Sequence, residues 1–244
     1  MANQHQNFRW PWIMLFLRTL LFASIQALFA LGYYLAGKAG AWDAGAAWWP
    51  FVVTIVNLIC IALLVRLFRA EGKRFWDIYR IDREHLKQDL LALLGITILL
   101  GPVGFLPNIW LGRLLFDDPQ ISLDLLVRPL PMWAVIISLA AFPITQGIAE
   151  LATYFSYVMP RFKASGMRPW LAVSLPALLL GFQHFASPLV FDLPFLTWRL
   201  FMYVPFAFLL GVVLHWRPRM LPYLAVIHVL MDASFAAMLL DAAI

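Results

Sequence analysis

The chain has 244 residues, 63% of them hydrophobic and only 13% charged, with a mean hydropathy of +0.82. A soluble domain carries about a quarter charged residues, so this composition excludes an ordinary water-soluble core and calls for lipid as solvent. The net charge of +5 does not point to nucleic acid, because the basic residues sit in short loops between apolar runs.

Seven apolar stretches, each near the ~20 residues needed to cross about 30 Å of hydrocarbon, follow one another at 10–35, 46–68, 89–112, 131–160, 170–190, 195–215 and 220–241. The first is longer than the h-region of a signal peptide, so no cleavable leader is expected. Cys60 lies mid-span in "NLICIALLV", where it serves as a small apolar filler; a single cysteine excludes an intrachain disulfide. Segment 69–88 ("RAEGKRFWDIYRIDREHLKQ") mixes charges with Trp76 and Tyr79 and reads as an interfacial helix. Segment 113–130 is its polar counterpart on the opposite side, with Asp117, Asp118 and Asp124. The expected fold is all-α, a polytopic transmembrane helix bundle forming one domain over 1–244. Its N-terminal spans and loop occupy about 1–130 and its later spans about 131–244.

Orientation is read from Lys and Arg. Arg9, the seven basic residues between Arg66 and Lys87, Arg161, Lys163, Arg168, Arg217 and Arg219 fall on one side, which is therefore cytoplasmic. Lys38, Arg113, Arg128 and Arg199 fall on the other. This places the N-terminus inside and the C-terminus outside, in a prokaryotic cytoplasmic membrane. Pro102, Pro143, Pro176 and Pro205 interrupt the spans and permit kinks around an internal cavity.

Arg18, Glu150, His184, His228 and Asp232 are ionisable residues inside these stretches. A charge at the bilayer centre costs at least ~2.5–3.5 kcal/mol, so such residues face the bundle interior or escape to its edge. Arg18, about 12 Å from the membrane face by helix rise, is expected to snorkel. His228 and Asp232, four residues apart, share a helix face, where the Asp can orient the imidazole. Glu150, His184 and His228 fall at overlapping depths of roughly 12–21 Å on three helices. A Glu and two His converging there can hold one water: the carboxylate takes its proton, one His shares it, and a second His supports an oxyanion. The same Glu150, His184 and His228 also make a zinc set, with water in the fourth position. Both versions hydrolyse amide bonds.

These residues resemble the CPBP family of intramembrane proteases, the CAAX prenyl protease and bacteriocin-processing group also called Abi. Its motifs are E-E-x-x-x-R followed by Pro-Arg, then F-x-x-x-H, then H-x-x-x-N or H-x-x-x-D. Here Glu150 precedes Pro160-Arg161, "LGFQH" ends in His184 with Leu180 in place of Phe, and His228 with Asp232 forms the third motif. Leu151 stands for the second Glu and Phe155 for the Arg. The resemblance covers about 140–240 and implies a CPBP-like core in the C-terminal four spans. It assigns water activation to Glu150 and His184 and oxyanion support to His228 and Asp232, with a peptide or membrane-protein substrate. The replacement of the motif's second Glu and its Arg by the apolar Leu151 and Phe155 keeps a second reading open: an inactive accessory or assembly subunit of a larger membrane complex. A proton-coupled carrier ranks third, since no paired broken helices mark two matching halves.

Overall fold

The computed structural model describes residues 8–244 and is all-helical, with no strand among the described residues. The helices are α1 (Arg9–Leu35), α2 (Ala41–Ala47), α3 (Trp49–Ala70), α4 (Leu86–Leu115), α5 (Pro119–Leu126), α6 (Met132–Leu151), α7 (Met159–Ala164), α8 (Pro169–Phe182), α9 (Leu193–Phe201), α10 (Val204–Trp216) and α11 (Leu221–Ala237). Among the described residues seven helical segments are long and apolar enough to cross a membrane: α1, α3, α4, Met132–Ala164, Pro169–Ala186, Leu193–Trp216 and Pro218–Ala237. The protein is an integral membrane protein built as a helix bundle.

Four of these spans are not single regular helices; the last opens with a 3-10 turn, Pro218–Met220. A π-helical stretch, Ala152–Val158, joins α6 to α7 two residues after Glu150. A π segment widens the helix and shifts the side chains beyond it, and such segments cluster at functional sites. A 3-10 turn, Gln183–Ala186, ends the α8 span and carries His184. The span Leu193–Trp216 breaks at Met202–Tyr203. Pro205 therefore sits in the first turn of α10, where its missing N–H costs nothing, rather than kinking a continuous helix.

Glycines set how closely the helices approach. A Cβ on Gly147 would lie 2.4 Å from Val229 Cγ2 and 2.9 Å from the Ala225 carbonyl oxygen, so only glycine lets α6 press against α11 one turn before Glu150. A Cβ on Gly181 would lie 2.8 Å from Val204 Cγ2, so glycine brings the end of α8 against the start of α10. The first seam carries the Glu150 and His228 backbones toward one another, and the second fixes the end of α8 just before His184. By contrast α4, with Pro102 and Pro107 inside it, is loosely held. Only 11% of its apolar stretch is buried, against 33 to 44% in the other six spans.

The segment after α3 corrects the interfacial-helix expectation. Gly72, with φ of 72°, stops α3, and the Lys73 amide folds back on the Phe68 carbonyl at 2.9 Å. Only Phe75–Tyr79 then turns, as a short 3-10 helix. Phe75 is buried and the Tyr79 hydroxyl donates to the Ile148 carbonyl at 2.5 Å, so this short turn is pinned against the bundle where a longer helix was expected. Burial pushes the Tyr79 phenol well above its ordinary pKa. The other polar loop forms α5, capped by Asp118 accepting from the Gln120 amide at 2.8 Å.

At the same end as Gly72, Arg161 makes a bidentate pair with Glu71 at 2.7 and 2.6 Å and covers the Tyr157 ring. Arg219 pairs with the fully buried Asp89 at 2.7 Å. The Arg of the Pro160-Arg161 pair is thus a clasp between α7 and the end of α3.

Candidate functional site

Glu150 lies in the last turn of α6 and is 1% exposed, between Ala149 in one apolar cluster and Leu151 in the other. Four sequence-predicted residues meet here. His184 Nε2 lies 4.0 Å from Glu150 Oε1, and His228 Nε2 lies 3.3 Å from Glu150 Oε2. Asp232 Oδ2 lies 3.4 Å from that same His228 Nε2. His184, His228 and Asp232 each keep a small exposed fraction, whereas Glu150 is sealed from below.

The two histidines are held differently. His184 Nδ1 faces the Leu180 and Gly181 carbonyls at 3.0 and 3.1 Å, so it carries the proton and donates. Its Nε2 lone pair is left facing Glu150. The His184 ring also packs tilted on Tyr203, with centroids 4.4 Å apart. For His228, Nδ1 is buried without a hydrogen-bond partner among the described residues, and so is Asp232 Oδ2. Asp232 therefore does not orient His228 from the far side of the ring, as four-residue spacing suggests. Both carboxylates face the one nitrogen, Nε2, and a proton there is better placed than on the orphaned Nδ1.

Arg18 overturns the snorkelling expectation. It is fully buried, and its guanidinium donates from Nε to Gln183 Oε1 (2.8 Å), from one terminal nitrogen to Asn57 Oδ1 (2.8 Å) and from the other to Gln146 Oε1 (3.0 Å). That last nitrogen stands 3.8 Å from Glu150 Oε1. A charge with three fixed acceptors and a carboxylate nearby gains more by staying than by stretching to the membrane edge. Gln146 and Gln183 in turn donate to Glu150 Oε1 at 2.7 and 2.5 Å, and the Tyr154 hydroxyl donates to Gln183 Oε1 at 3.1 Å. The first and second spans thus contribute Arg18 and Asn57 to a site otherwise built from later ones.

Arg199 is likewise not a loop charge. It is buried in α9 and donates to the carbonyls of His184 at 3.1 Å and Ser187 at 2.5 Å, positive charge set against the carbonyl end of the turn that carries His184. Leu151 and Phe155 turn away from the carboxylate. Leu151 lines a narrow apolar crevice with Leu100, Phe206 and Leu210 that reaches His228 and has room, at about 10 Å³, for one water at most. Phe155 packs on Gly211, whose Cβ would lie 3.0 Å from the ring. Apolar residues at both positions leave no buried charge without its mate.

The zinc set of Glu150, His184 and His228 does not fit. Among the described residues no group of three or more His, Cys, Asp and Glu side chains is arranged to hold a metal ion. The Glu150 oxygen nearest His184 already accepts from two amides, with a guanidinium 3.8 Å away that would repel a cation.

The residues that sequence reasoning passed over are amides and aromatics: Asn57, Gln146, Gln183, Tyr154 and Tyr203. Gln146 lies one turn before Glu150 and Gln183 directly before His184, so their positions were the available signal. Comparisons with protein-family models, with curated proteins and with solved structures find no match to this chain. The motif residues and their geometry carry the functional reading.

Proposed function

We propose that this protein is an intramembrane endopeptidase of CPBP type, acting on a peptide bond of a membrane-associated, prenylated or leader-peptide substrate. The observation that carries the proposal is the convergence of two histidines on one carboxylate, His184 Nε2 at 4.0 Å from Glu150 Oε1 and His228 Nε2 at 3.3 Å from Oε2. A water beside them donates one proton to Oε2, the oxygen that the amides leave open, and one to the Nε2 lone pair of His184, and turns its own lone pair outward, which is general-base activation. The water oxygen adds to the substrate carbonyl carbon, and its proton passes to Glu150 or His184. The tetrahedral oxyanion is met by the Nε2 proton of His228, with Asp232 stabilising the ring. Collapse breaks the C–N bond, and the proton returns to the leaving amine. The basic-residue bias supports an N-terminus on the cytoplasmic side, and a prokaryotic cytoplasmic membrane is the setting that completes the proposal.

The chain expressed in bacterial membranes, followed by mapping of protein termini in those membranes, tests the proposal without a known substrate. Wild type is expected to generate new termini that vanish in Glu150→Gln and in His184→Ala, with all three proteins present at equal levels and folded. Termini that persist in either variant refute the assignment.

A second reading, an accessory or assembly subunit of a membrane complex, draws on Leu151 and Phe155 lying in the apolar core and on Glu150 Oε1 being filled by amides. A stoichiometric partner that co-purifies equally with wild type and Glu150→Gln, with no Glu150-dependent termini, favours it.

A further inference from the structure

We infer that Arg18, on the first span, is the positioning residue of Glu150: it sets the direction of every amide around the carboxylate and so decides which oxygen is offered to the reaction. This rests on the endopeptidase reading. Its physical content lies in the polarity of the hydrogen bonds. A side-chain amide has one accepting end and one donating end, and either can point at a carboxylate. Only the donating end stabilises it.

Each of the three guanidinium nitrogens of Arg18 donates to an amide oxygen, those of Gln183, Asn57 and Gln146. Arginine has no acceptor, so each amide is compelled to turn its oxygen inward and its NH2 outward. Two of those NH2 groups, from Gln146 and Gln183, converge on Glu150 Oε1. The third, from Asn57, is spent on Thr145 Oγ1 at 3.2 Å, whose hydroxyl then donates to the Ala141 carbonyl at 2.6 Å. The Tyr154 hydroxyl adds a second donor to the Gln183 oxygen, reinforcing the same direction. The result is one filled oxygen, Oε1, and one, Oε2, turned to His228. Arg18 makes this arrangement without a direct hydrogen bond to Glu150, at 3.8 Å.

The guanidinium is needed for its shape as well as its charge. Three acceptors lie on three different helical segments, α3, α6 and the 3-10 turn after α8. A planar fork reaches all three at once, whereas a lysine ammonium is a compact point charge on a flexible stem. Lysine therefore keeps the positive charge while releasing at least one amide to rotate.

The test uses the full chain in lipid nanodiscs, with the cleavage found by terminus mapping as the assay. Arg18→Lys is expected to stay folded and to lose about 100-fold in kcat, the scale of an ångström-sized misplacement, with KM unchanged. Melting temperatures of Arg18→Met, Glu150→Gln and the double variant form a cycle; the double variant is expected to melt above Arg18→Met, because no buried carboxylate is then left without its counter-charge. A wild-type kcat in Arg18→Lys overturns the positioning role, as do additive losses in the cycle. Absence of Glu150-dependent cleavage in the wild type is a separate result: it removes the endopeptidase reading and the positioning role with it.

Discussion

The two sides of the site are built on opposite principles. On the side of α1, α3, α6 and the turn after α8, Arg18, Asn57, Gln146, Gln183 and Tyr154 match donors to acceptors down to Glu150 Oε1. On the side of α11, His228 Nδ1 and Asp232 Oδ2 are buried with no hydrogen-bond partner, and His228 Nε2 stands between two carboxylates. In a low-dielectric interior a fully matched network is rigid, while unpartnered polar atoms are held at a cost. The contrast teaches that one side holds Glu150 still while the other leaves polar atoms unmatched, and in the proposed reaction these are the atoms free to take up charge.

That contrast predicts unequal penalties. The largest belongs to Arg18→Met, which strips the Glu150 carboxylate of its counter-charge and strands the amide oxygens of Asn57 and Gln146. Removal of one partner from a buried charged network costs about 3–5 kcal/mol, and thermal unfolding in detergent is expected to show a loss on that scale. A loss as small as that of an α11 polar residue would erase the distinction between the two sides.

Next is Gly147→Ala, at the seam that joins them. Its methyl would lie 2.4 Å from Val229 Cγ2 and 2.9 Å from the Ala225 carbonyl oxygen. Overpacking of this kind costs about 1–3 kcal/mol, and separation of α6 from α11 is expected to lower activity beyond the loss of stability. Unchanged activity at normal stability would show that the approach of Glu150 to His228 does not matter.

Tyr79→Phe removes the hydrogen bond to Ile148, worth about 1 kcal/mol, from the turn pinned against α6. It also carries a pH signature. The buried phenol has a raised pKa, so its stability contribution is full below about pH 10, where the unfolded phenol ionises, and falls as pH rises further. Wild type is expected to lose stability from about pH 10 upward more steeply than Tyr79→Phe; parallel curves would exclude the buried phenol as the cause.

The smallest stability effect is expected for Asp232→Asn, well under about 1 kcal/mol, because Oδ2 has no hydrogen bond to lose. Cleavage is expected to fall all the same. A penalty equal to that of Arg18→Met would show that the α11 side is as tightly matched as the other.

The bundle and the four ionisable residues were legible in the sequence for one reason: charge inside an apolar run is costly and stands out. Glu150, His184, His228 and Asp232 could be aligned by depth and spacing alone. Arg18 could not be assigned a direction. In a membrane helix the lipid face is as apolar as the packed face, so the buried stripe Met14, Leu15, Arg18, Phe22 and Gln26 of α1 shows no contrast with its exposed side. The amides escaped notice because they are cheaper to bury than charges, and because Asn57, Gln146 and Gln183 meet only after three distant segments pack. The π-helical stretch after Leu151 left no mark, since "ATYFSYV" reads as ordinary helix. The interfacial helix failed for a related reason. Gly72 ends α3, and burial of Phe75 and Tyr79 then outweighs the amphipathic pattern of the loop.

The central claim is that Glu150 and His184 together activate water for peptide hydrolysis. Quantitative mapping of protein termini in membranes holding equal amounts of folded wild type, Glu150→Gln and His184→Ala measures it most directly. The account predicts a set of new termini in the wild type that disappears in both variants. The same termini at undiminished levels in Glu150→Gln would contradict it.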